Sequence, residues 1–69
     1  MNNGLKAYIQ NNVDNFEERA CYALGVMNYE HRSLRSADCF LYMDMLNCAE
    51  EYCYVNGLDI NDFDMEDYL

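Results

Sequence analysis

The residues best equipped for chemistry are four cysteines, Cys21, Cys39, Cys48 and Cys53, one histidine, His31, and thirteen carboxylates. Zinc needs ligand pairs at short spacing. Cys48 and Cys53 have four residues between them, and five steps along a helix turn about 500°, so their side chains diverge. Cys39 or Cys53 with His31 would suggest a thiol nucleophile. Neighbouring acids raise a thiol's pKa, however, which opposes reactivity. The stretch Asp59-Ile60-Asn61 opens like a calcium loop. Phe63 then stands at the fifth position, Asp64 replaces the sixth-position glycine, and the chain ends before the twelfth. The expectation is a non-enzymatic chain with no metal site and no cofactor. The cysteines are expected to be reduced thiols, mostly buried, because no export signal is visible.

The carboxylates carry the stronger signal through their placement. Residues 1–35 hold Lys6, Arg19, Arg32 and Arg35 against Asp14, Glu17, Glu18 and Glu30, and are neutral. Residues 36–69 hold nine acids and no Lys or Arg, so the whole net charge of −9 lies there. Like charges at helical spacing cost a few tenths of a kcal/mol each, and most soluble surfaces mix both signs. The use such a field has is to attract a basic surface, and basic surfaces belong largely to nucleic-acid-binding proteins. On this reading the partner-binding residues are Asp44, Glu50, Glu51, Asp59, Asp62, Asp64, Glu66 and Asp67. Tyr54 and Tyr68 would stack on arginine guanidinium groups. Asp44 and Glu51, two turns apart, share a face, and helical neighbours stand about 5–6 Å apart, close to the spacing of phosphates along a strand. A solvated, solubilising surface explains the same acids without a partner.

In length, acidity, tyrosine and asparagine content and lack of proline, the chain resembles small phage-encoded anti-defence proteins, the acidic anti-CRISPR inhibitors and antirestriction DNA mimics among them. The resemblance spans the chain and rests on composition, with no motif. It implies an inhibitor that sets carboxylates where phosphates would lie, in the nucleic-acid channel of a Cas effector or nuclease. Direct nucleic-acid or membrane binding is not expected of a −9 chain, and a cytoplasmic address is the default.

Elements that position these acids follow from the apolar spacing. Sixty-nine residues make a single domain (1–69), too short to bury much more than about 60% of its unfolded surface. Leu5, Ile9, Val13, Phe16, Ala20, Leu24 and Met27 recur at steps of three and four, one face of a helix. A break is expected at 11–15, with Asp14 or Asn15 capping the restart. Gly25 permits close helix packing or marks fraying, and Asn28–Arg32 reads as the connection. Ser33 and Ser36 are competent N-caps. A second helix carries Leu34, Ala37, Leu41, Met45, Cys48, Tyr52 and Val55, with Tyr42, Leu46, Ala49 and Cys53 beside them, and ends at Gly57. Residues 59–69 form an acidic tail or a short helix capped by Asn61 or Asp62. The expected fold is all-α: a small helical hairpin with a short C-terminal helix or tail. The broad apolar face of its second helix suggests dimerisation as a four-helix bundle. In that alternative function, a homodimeric interaction module, the acids serve only solubility.

Overall fold

The computed structural model describes residues 3–69, and among them there is no strand. The fold is all-α. Helix α1 spans Asn3–Asn12, α2 Phe16–Glu30, α3 Leu34–Ala37 and α4 Cys39–Asn56, and two 3-10 turns follow at Ile60–Asp62 and Met65–Tyr68. Helix α4 is the hub, since the other three helices and both turns all pack against it.

The break after α1 falls inside the expected stretch. Asn15 turns left-handed (φ 56°) and occupies the cap position of α2 without a side-chain cap bond. Asparagine tolerates this conformation better than most residues. Leu5, Ile9, Val13 and Phe16 are buried as the spacing predicts. Beyond the break the register shifts: Ala23 is buried and Leu24 is exposed. The new axis of α2 brings residues 16, 20, 23 and 27 inward, so a single stripe drawn through both helices fails at Leu24.

Residues Asn28–Glu30 are helical, so the connection is shorter than expected. His31 ends α2 in a left-handed conformation (φ 56°), with its own amide and the Arg32 amide both on the Met27 carbonyl. This is the usual way a helix satisfies its last carbonyls. Ser33 stands at the cap position of α3 but makes no side-chain cap bond. Glu66 supplies one from the far end of the chain, its Oε1 accepting from the Leu34 amide at 3.1 Å. Asp38, not Ser36, caps α4, accepting from the Leu41 amide at 2.8 Å.

On α4 the buried line is Leu41, Met45, Ala49 and Cys53. Steps of four advance about 40° beyond a full turn, so the line winds around the helix from the α3 side to the C-terminal turns. Val55, expected on the apolar face, is exposed. Leu41, Met45 and Ala49 are wholly buried within one chain. Part of the face expected to pair with a second copy is thus packed within the chain, while Phe40, Met43, Tyr54 and Val55 stay exposed on α4. Gly57 (φ 68°) closes the helix, and the Leu58 amide reaches the Cys53 carbonyl at 2.8 Å.

The tail forms two 3-10 turns in place of one helix. Their caps are Asp59, which accepts from the Asn61 amide at 2.9 Å, and Asp64, which accepts from the Glu66 amide at 3.0 Å. Met65 and Tyr68 are buried, and they join residues from α1 to α4 in one core. No helix among the described residues is long and apolar enough to cross a membrane.

Candidate functional site

Nine acids follow Arg35, and the fold sorts them into engaged and open groups. Arg19, projecting from α2, binds Asp44 at 3.0 Å and approaches Asp38 at 4.0 Å. Asp44 is thus partly neutralised where it was expected to face a partner. Glu66 is committed to the Leu34 amide. Glu51 lies toward α1, close enough to Tyr8 to perturb its hydroxyl: burial first, then a hydrogen bond and the charge of Glu51, push the Tyr8 pKa up. Tyr8 also packs on Tyr52, ring centroids 5.6 Å apart. The other arginines are occupied elsewhere. Arg32 binds Glu30 at 2.6 Å and the Ser36 carbonyl, and Arg35 donates to the Tyr42 hydroxyl at 3.0 Å with its guanidinium 4.8 Å from that ring's centre.

Six acids remain on the surface outside any described ion pair or helix cap from a distant element: Glu50, Glu51, Asp59, Asp62, Asp64 and Asp67. Three of them line two adjoining grooves between α4 and the C-terminal turns. The first, about 420 Å³, is lined by Glu50, Cys53, Tyr54, Gly57, Leu58, Asp59 and Ile60. The second, about 400 Å³, is lined by Tyr42, Leu46, Glu50, Ile60, Asn61, Phe63, Asp64 and Met65. Glu50 and Ile60 belong to both. The helix end at Gly57 creates this arrangement, because the chain folds back there and sets Asp59 and Ile60 beside Glu50 one to two turns up the helix.

The grooves mix apolar and acidic side chains in their lining. Leu58, Ile60 and Phe63 supply the hydrocarbon, Glu50, Asp59 and Asp64 the charge, and Tyr54, 88% exposed, an open aromatic face. Such a site suits an arginine or lysine side chain, whose stem is apolar and whose head is cationic. It does not suit thiol chemistry. Burial, then the charges of Asp59 and Asp62, push the Cys53 thiol up, and burial, then Asp44 and Glu51, do the same to Cys48. All four cysteines are free; Cys53 is buried and Cys48 half-buried, whereas Cys21 and Cys39 are exposed against expectation. Among the described residues no three His, Cys, Asp or Glu side chains converge as a metal site.

Of the residues the sequence singled out, Glu50, Tyr54, Asp59 and Asp64 come together, with Asp62 close by the Cys53 end. Asp44 and Glu51 lie on the other flank of α4, about 100° or more around the helix from Glu50. They do not continue into one track with the tail. Tyr68, expected to offer its ring to an arginine, is 2% exposed and packs against Phe63. Leu58 was expected only to fold back after Gly57 for a hydrophobic contact, and neither it nor Ile60 was read as part of a site; the one signal is two aliphatic residues within three positions of a helix-ending glycine. No protein-family model, curated protein or solved structure matches the chain.

Proposed function

We propose that the chain is a non-enzymatic inhibitor that seats basic side chains of a larger protein's nucleic-acid-binding surface in the paired grooves around Glu50. The observation that carries this reading is that Glu50, Asp59 and Asp64 line the same grooves as Leu58, Ile60, Phe63 and the exposed Tyr54, in a half of the chain with no cation of its own. A surface built only for solubility needs charge; it has no use for Leu58, Ile60 and an outward Tyr54 beside that charge. Occupying the partner's arginines and lysines displaces the phosphates they would otherwise hold, which is inhibition by mimicry. The resemblance to anti-defence proteins points to a Cas effector or restriction nuclease as the partner.

The test is displacement of duplex DNA from purified effectors of these classes, with two variants matched for charge. Glu50→Gln with Asp59→Asn removes two groove charges, and asparagine retains the turn cap. Asp14→Asn with Glu17→Gln removes two charges from the neutral half. The groove variant is expected to inhibit about tenfold more weakly or worse, the loss of one or two charge-assisted contacts. The control should match the wild type, and rising salt should weaken both. Equal loss in the two variants, or indifference to salt, would reduce the acids to a solubilising coat.

A further inference from the structure

Helix α2 has an outward face that the fold leaves unexplained. Residues 20–29 contain no charge, yet only Ala23 among them is fully buried, and Tyr22 and Tyr29 are 66% and 86% exposed. A helix uncharged over nearly three turns is normally covered on all sides. Gly25 adds a second anomaly. It sits mid-helix, where glycine costs about 1 kcal/mol relative to alanine. No positive φ is recorded for it, and a Cβ there would meet nothing within 4 Å. Nothing inside the chain requires a glycine at that place.

The pattern along this face identifies what covers it. Glu18, Tyr22, Gly25, Tyr29 and Arg32 follow one another at steps of four, three, four and three. That is the repeat of a helix-pairing seam, and with Phe16 and Ala23 buried it lies on the side away from the core. Reversed about Gly25, the seam meets its own complement at three places: Glu18 falls on Arg32, Gly25 on Gly25 and Arg32 on Glu18, while Tyr22 falls on Asn28, one residue short of the partner tyrosine, and Tyr29 on Cys21. Arg32 lies just beyond the end of α2, but its amide bonds to the Met27 carbonyl, so it stays against the last turn. Its guanidinium holds Glu30 and the Ser36 carbonyl, and five donors leave some for another carboxylate. A two-fold, antiparallel pairing also fits the charge of the whole chain, because it joins the neutral halves and leaves the acidic halves apart.

We infer that α2 packs antiparallel against α2 of a second copy, with the two-fold axis passing Gly25 and Glu18 of each chain against Arg32 of the other. This pairing is independent of the groove reading, since α4 and the C-terminal turns take no part in it. Two measurements test it. Sedimentation of the full chain at about 100 µM, a concentration that populates a micromolar dimer, should show a dimer. Tyr22→Lys with Tyr29→Lys should sediment as a monomer with unchanged helical circular dichroism, because both side chains are exposed. In a Cys21→Ser, Cys39→Ser background, Gly25→Cys should cross-link to itself across the axis on mild oxidation, whereas Glu18→Cys should not. A monomeric wild type overturns the proposal, including the case in which the tyrosine variant loses binding to some other protein, for the face then belongs to a foreign partner. Cross-linking through position 18 as readily as through 25 overturns it too, since that is the mark of a parallel pair.

Discussion

Glu66 caps a helix that begins thirty-two residues earlier in the chain, accepting from the Leu34 amide at 3.1 Å. Its place in an acid run made it look like surface charge, and only the tertiary fold reveals its bond. Glu66→Ala should therefore destabilise the chain by about 0.5–2 kcal/mol, the cost of a lost cap, and Glu66→Gln by less; denaturant titration separates them. The number of acids was legible in the sequence, and their division was not, because Arg19 reaches Asp44 across 25 positions. Thiol behaviour was legible in part. The acids do raise Cys48 and Cys53, behind a larger effect of burial. Such groups add stability at pH below the ordinary thiol value of 9.0, and that contribution is lost as pH climbs through their higher folded values. Thermal melts should fall as pH passes about 9. Iodoacetamide at neutral pH should modify Cys21 and Cys39 well before Cys48 and Cys53, and equal rates at all four would contradict the burial described.

At the scale of elements, helix content and the break near Asn15 could be read from apolar spacing, polar composition and capping chemistry. The boundaries that shifted did so where a neighbouring element took over. Asp38 caps α4 where Ser36 was expected, and the tail tightened into two 3-10 turns because Asp59 and Asp64 each bond an amide two residues on. Periodicity gave Leu24 a core position, but it cannot see the change of axis between α1 and α2. The outward face of α2 makes a prediction in two directions. At concentrations low enough to keep the chain monomeric, Gly25→Ala should stabilise it by about 0.5–1 kcal/mol, since alanine is the better helix former and the site is open. At higher concentration the added methyl should weaken self-association. Destabilisation of the dilute chain would show that Gly25 serves the fold itself.

For the molecule as a whole, a charge of −9 on 69 residues opposes compaction. Moderate salt should raise the melting temperature by screening that repulsion. The opposite trend would mean that the Arg19 and Arg32 pairs outweigh the repulsion, which exposed pairs worth about 0–1 kcal/mol each do not do. The charge asymmetry was plain in the sequence. The grooves it surrounds were not, because they exist only where Gly57 folds the acidic turns back onto α4. The central claim is that cationic side chains enter there, and amide chemical-shift mapping with an arginine-rich peptide tests it most directly. Shifts are expected to cluster at Glu50, Tyr54 and 57–64 and to fade as salt rises. Shifts spread evenly over all thirteen acids, or centred on Asp44 and Glu51, would contradict it.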